Sequence, residues 1–512
     1  MSRGTRIFLP ALVAGLATVL MVGCGSGMGG GTSPTTSGPT GSLVIFGTDQ
    51  PSCDVQSFMV TISSAALVPQ GGGTPVTITA PSGQTDFASL VDFTNILSFG
   101  SVTAGTYESL TLTLTNPQLT VLNTSATPPT AVPLPTCSAT LTTNCTSFSN
   151  GSPTDTLSLM FSPPLTITTG GTSGFVVDFD MRDSVQTDTN GLVTGVVNPQ
   201  LTLTPSVASG TTLGEADTLY GVVQSAPTLT STNTSFTGSF PLQVQGGVGQ
   251  ILTVQVTSTT GFEGDSVTGL SDLTAGTFVE VDAIVDTSGN IVAQEVDAEA
   301  QVVTTGQHAG FLGKIIGVTR DSSGNATGFN LLVGREAWDM TSAVPLQSSL
   351  TVTLADTTHY GSNWRHWNRR ALQFGPQTVG LAEKVAVFGV LTAGTTGPPA
   401  TPATLTADRV FLRQRNVLGT FQAKLATGSD DRTGGFTMLP CGDLFGGQPI
   451  TVLTFGDGRW RDLGGLSALT PGPIINVSGL LFYEQTNGPG TPPTWTAPTW
   501  VMQGKVVHKL PK

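Results

Sequence analysis

Residues Phe175-Val176-Val177-Asp178-Phe179-Asp180-Met181 decide how this chain is read. With a side-chain period of two, Phe175, Val177, Phe179 and Met181 share one face of an extended strand, while Asp178 and Asp180 share the other. Leu110-Thr111-Leu112-Thr113-Leu114 repeats the alternation, directly after a Gly105-Thr106-Tyr107 step. Upstream, Leu43-Val44-Ile45-Phe46 opens the region, Asp49-Gln50-Pro51 turns it, and Phe58 to Ile62 forms a second strand. Leu201 to Thr204 closes it. Short strands punctuated by turn residues, from Gly41 to about Gly210, predict a β-sandwich. Within it, Asp86 to Ser98 is expected to form a short helix with Asp86 as its cap.

Composition extends the all-β reading to the whole chain. Thr, Val and Leu in short runs between Gly and Pro favour strands and tight turns. At 38% hydrophobic residues the chain has enough apolar surface for cores, which excludes a disordered chain despite 64 glycines and 33 prolines. At 512 residues it is too long for one core. Its net charge of −13 is unevenly spread. Residues 41–210 hold ten acids and one base, and 211–308 hold eleven acids and no base. Residues 309–416 hold ten bases and six acids, and 417–512 seven and six. The first half therefore carries −20 and the second +5. An acidic chain of this kind is not expected to bind nucleic acid.

Beyond residue 210 the sequence repeats. Tyr220-Gly221-Val222-Val223, Leu312-Gly313-Lys314-Ile315 and Leu418-Gly419-Thr420-Phe421 start three units. Each unit later carries a matching strand, at Val279 to Ala283, Val385 to Gly389 and Ile475 to Gly479. Each ends on another, at Ala293 to Val296, Ala407 to Val410 and Gln503 to Val506. Three landmarks in the same order predict tandem small β-barrel-like domains at 211–308, 309–416 and 417–512.

The N-terminus reads as an address. Arg3 and Arg6 precede an apolar run from Ile7 to Val22, too short to span a membrane. Its end, Leu20-Met21-Val22-Gly23-Cys24, resembles a bacterial lipoprotein signal. The resemblance implies cleavage of residues 1–23 and lipidation of Cys24, and Gly25 after it implies an outer-membrane destination. Several acyl chains on Cys24 would hold the protein to a membrane. Residues 24–40 form a flexible Gly/Ser/Thr/Pro tether, roughly 20 Å in root-mean-square span. Its Gly25-x-Gly27-x-x-Gly30 has the form of a dinucleotide fingerprint, but no strand precedes it and no helix follows. In sequence order the acidic half lies nearest this lipid. All six tryptophans lie beyond Ala309.

Residues 41–210 resemble an uncharacterised N-terminal domain of bacterial lipoproteins, through Asp49-x-Pro51, Ala104-Gly105-x-Tyr107 and Val177-Asp178-Phe179-Asp180 before Ser184. Residues 270–299 resemble a second uncharacterised family of small β-barrel lipoprotein domains, similar in fold to OB barrels. Neither resemblance implies an activity.

Four cysteines remain after Cys24, in a compartment where disulfides persist. Cys137 and Cys145 bracket a Thr/Ser loop and are the preferred bridge; Cys53 competes for either, and with Cys441 three connectivities exist. Candidate chemistry is sparse. Gly264-Asp265-Ser266-Val267 is similar to an esterase nucleophile block but lacks a downstream Asp-x-x-His base, so turn chemistry is the better reading. Asp178 and Asp180 are a weak calcium candidate, short of the six to eight oxygens the ion takes. Tyr360, Trp364, Arg365, Trp367, Arg369 and Arg370 interleave aromatics and cations, as sugar- and polymer-gripping surfaces do. Core packing of the tryptophans competes with that reading. The expectation is an envelope scaffold or display protein without catalytic activity, resident metal or cofactor. The alternative is a polysaccharide-binding lipoprotein using the distal Trp/Arg residues.

Overall fold

The computed structural model describes residues 38–50, 52–53, 55–80, 83–90, 95–123, 130–230, 235–244, 251–264, 267–300, 308–336, 344–362, 372–394, 402–425, 430–456, 458–484 and 499–509. Cys24, Trp364, Arg365, Trp367, Arg369, Arg370, Asp265 and Ser266 lie outside them. The described chain is all-β.

The alternating stretches become the facing sheets of a sandwich. Its strands are β1 (Thr40–Gln50), β2 (Val55–Pro69), β3 (Asn95–Thr103), β4 (Gly105–Asn123), β5 (Thr154–Ile167), β6 (Thr172–Asp180) and β7 (Leu201–Pro205). One sheet runs β7-β6-β1-β3, with β1 and β6 parallel. In the other, β4 pairs with β2 and β5. Phe175, Val177, Phe179 and Met181 point into the core between them, beside Phe58, Leu110, Leu112 and Leu114. The run Leu43 to Phe46 does not alternate because both faces of β1 are covered. Leu43 and Ile45 enter the sandwich core, while Val44 and Phe46 pack into the next domain.

The helix expected over Asp86 to Ser98 is corrected. A single 3-10 turn spans Phe87–Ser89, and Asn95 onward is strand β3. Phe87 and Leu90 are anchored in the sandwich core. Asn95 to Thr103 are drawn into an antiparallel ladder with β1, which outweighs weak local helix preference. Asp86 caps nothing; its Oδ1 accepts from the Phe58 amide at 2.9 Å.

The three repeats close into five-stranded rings. The first uses β8 (Thr212–Val223), β9 (Gly238–Val244), β10 (Ile251–Val256), β11 (Phe278–Asp286) and β12 (Ile291–Ala300). The second uses β13 (His308–Arg320), β14 (Ala326–Glu336), β15 (Ser349–Ser362), β16 (Lys384–Thr392) and β17 (Thr404–Lys424). The third begins on the same β17 and adds β18 (Gly434–Pro440), β19 (Ile450–Thr454), β20 (Ile474–Glu484) and β21 (Thr499–Lys509). In every ring the first strand pairs with the second and fourth, and the fifth pairs with the fourth and third. The third–fifth pair is parallel in all three. This is an OB-like barrel, repeated. The residue 416/417 division expected between the last two repeats falls inside β17, so one strand serves both barrels.

Distance along the chain does not carry over into space. Cys53 of the sandwich bonds to Cys441 of the third barrel, 388 residues away. Arg459 and Lys505 of that barrel reach Glu215 at 2.8 Å and Asp282 at 3.4 Å in the first. Cations of the distal half thus meet acids of the proximal half. The second bridge, Cys137–Cys145, closes a separation of eight residues.

Candidate functional site

Where sandwich, second barrel and third barrel meet, they line a partly open cavity of about 150 Å³. Among the described residues four cations line it: Lys314 of β13, Arg335 of β14, Lys384 at the start of β16 and Arg415 of β17. Asp49, at the end of β1, and Asp86 come from the sandwich. The Cys53–Cys441 bridge forms part of the wall.

Ladder geometry gathers the charges. Lys314 and Lys384 are direct cross-strand partners, and Arg335 stands opposite Leu312 on the next strand. Like charges placed directly opposite repel. Burial, with the Arg415 charge beside it, lowers the Lys314 ammonium to about 7. Lys384 falls to about 8, from burial first and then Arg335. Burial lowers Arg415 to about 10, against the pull of Glu383. The acids move the other way. Desolvation raises Asp86 although the Phe58 amide, Lys314 and Arg335 oppose it, and desolvation plus the Asp178 charge raise Asp49 well above the carboxylate range.

Lys314 and Arg415 make weak or incomplete hydrogen bonds. Lys314 Nζ donates to the Gln56 carbonyl at 3.4 Å and to its Oε1 at 3.3 Å, both long. Arg415 Nε donates to the Asn416 carbonyl at 3.2 Å, and its guanidinium lies 5.6 Å over the Phe445 ring. Its Nη1 is buried and has no hydrogen-bond partner among the described residues. Arg335 donates to Ser89 Oγ at 3.2 Å, and Arg335 and Lys384 stand 5.5 and 5.7 Å from the Tyr220 ring. Leu312, Leu418, Leu444 and Phe445 give the cavity an apolar wall. A cationic patch beside such a wall is suited to holding an anion.

The residues singled out from sequence lie elsewhere. Tyr360 is half-buried on β15 and meets Phe374 edge-on at 6.0 Å; its aromatic and basic companions lie outside the described residues. Trp500 is buried, with Nε1 donating to the Leu381 carbonyl at 2.9 Å, and Trp460 packs against the third-barrel core. Asp180 caps the turn Met181–Ser184 by accepting from the Asp183 amide at 3.0 Å, and Asp178 is half-buried on β6. Among the described residues no group of three or more His, Cys, Asp or Glu could hold a metal ion. The cavity cations left one trace in sequence, the excess of bases over 309–416. Asp49 had been marked only by its place before Pro51.

These features define an all-β protein in which a sandwich and OB-like barrels close around a cationic cavity. Residues 40–194 match the family described as Domain of unknown function (DUF4382), and residues 221–297, inside the first barrel, match Domain of unknown function (DUF5666). No curated protein and no solved structure matches the chain.

Proposed function

We propose that the protein is a non-catalytic scaffold of the bacterial cell envelope, held to the outer membrane by lipid on Cys24. The observation that carries the scaffold reading is the Cys53–Cys441 bond, which staples the first folded domain to the last. A second link works in the same sense, because β17 is shared by two barrels. Domains joined in this way hold fixed positions, as a display platform requires, and a disulfide staple suits an oxidising compartment. The anchor rests on Leu20 to Cys24.

Expression in a Gram-negative host fed an alkyne fatty acid tests the anchor. Wild-type protein is expected in the outer-membrane fraction and labelled, and Cys24→Ser in neither state. An unlabelled wild type overturns the anchor. In the same cells, pull-down on envelope and extracellular polysaccharides tests the Trp/Arg alternative. Binding lost in Trp364→Ala/Trp367→Ala would favour it over a passive scaffold.

A further inference from the structure

We propose that the cavity between the sandwich and the second and third barrels binds a small organic anion, a carboxylate or phosphate monoester on an apolar body about the size of a benzene ring. Five observations meet there. Among the described residues, Lys314, Arg335, Lys384 and Arg415 outnumber the two lining carboxylates, Asp49 and Asp86. Those carboxylates are drawn to amides: Asp49 Oδ1 accepts from Met181 N at 3.3 Å, and Asp86 Oδ1 from Phe58 N at 2.9 Å. Arg415 is 8% exposed, yet its Nη1 has no acceptor among the described residues. A buried guanidinium N–H without an acceptor is costly, and an anionic oxygen would supply the missing bond. Apolar lining comes from Leu444, 6% exposed, and Phe445, 3% exposed, the latter under the Arg415 guanidinium. A volume of about 150 Å³ admits a guest of benzene size.

A domain junction that existed only for cohesion would place acids against these cations, as the Arg413–Glu280 pair does at 2.7 Å. Around Arg415 the nearby acid, Glu383, acts through its charge, and neither of the lining carboxylates accepts from the Arg415 guanidinium. The lowered lysines fit the same picture, since an incoming anion would favour their charged forms. This inference does not depend on the lipid anchor.

The test uses the oxidised full-length chain and calorimetric titration with benzoate, phenyl phosphate, inorganic phosphate and the neutral analogue benzamide. Benzoate or phenyl phosphate is expected to bind at one site more tightly than inorganic phosphate, with no binding by benzamide. Arg415→Met and Lys314→Met, each verified as folded by circular dichroism, should weaken binding roughly ten- to hundredfold. A readout on unmutated protein stands beside them. Bound benzoate should protect Lys314 and Lys384 from acetylation, read by mass spectrometry, and leave the exposed Lys424 reactive. No binding by either organic anion, equal binding of benzamide, undiminished affinity in a folded variant, or unchanged labelling of both cavity lysines at saturation overturns the proposal.

Discussion

Arg413 shows what a charge costs when a barrel interface buries it. It has no exposed surface, and its Nη1 lies 2.7 Å from Glu280 and 3.8 Å from Asp297 of the first barrel. Removing one member of a buried pair leaves the other desolvated, so Arg413→Met is expected to lose about 3–5 kcal/mol in urea unfolding. Adding Glu280→Gln should return part of that loss, because the stranded carboxylate is gone. Glu295 gives a pH signature. Burial, with Asp282 and Glu263 nearby, raises it to about 8, against the pull of Lys505. Its folded pKa exceeds the unfolded one, so its contribution is complete below about 4.5 and fades as pH rises through about 8. Glu295→Gln should therefore melt like wild type at pH 4 and later than wild type above pH 8. After allowance for solvent screening at this partly exposed group, the gain is about 1–2 kcal/mol.

At the scale of elements, the repeated glycines have a steric cause. A Cβ at Gly221, Gly313 or Gly419, the second residue of each starting landmark, would run into a carbonyl oxygen of the neighbouring strand: that of Gln243, Leu332 or Leu439. The landmark in the fourth strand marks a bulge. The ladder to the fifth strand shifts register at Ala283, Gly389 and Gly479 in the three barrels. Bulges of this kind bend a strand so that a small ring can close. Gly313→Ala is expected to destabilise by about 1–3 kcal/mol in chemical denaturation. Gly269→Ala, where an added Cβ meets nothing within 4 Å, should change stability by less than about 0.5 kcal/mol.

At the scale of the molecule, the two disulfides differ through the loops they close. Cys53–Cys441 spans 388 residues and Cys137–Cys145 spans eight. Closing the longer loop removes roughly twice the unfolded-chain entropy. Cys53→Ser/Cys441→Ser should therefore lower the melting midpoint more than Cys137→Ser/Cys145→Ser does, by calorimetry without reductant. Equal shifts would show that the long bridge does not hold the domains together in solution. Loss of the long bridge should also expose the cavity lysines to acetylation, since Cys53 and Cys441 form part of its wall.

Local pattern was enough for the all-β class, the inward faces of β4 and β6, and the three tandem barrels. Each follows from a side-chain period or from a landmark repeated along the chain. The chain alone also indicated Cys137 with Cys145, which are neighbours in sequence. Other features depend on contacts between residues hundreds of positions apart, where local pattern carries no signal. Phe87 to Ser89 became a turn, and Asn95 to Ser98 became strand because β1 offered a ladder. Val44 and Phe46 found a second core because a barrel packs on the sandwich. The cavity was not visible in sequence, because Lys314, Lys384 and Arg415 lie far apart along the chain and Asp49 and Asp86 belong to another domain. Only the folded chain brings them within reach of one another, and burial between the domains then moves their proton affinities. Residue pattern determined which strands form and how each barrel closes; tertiary packing decided which charges meet and what the space between them can hold.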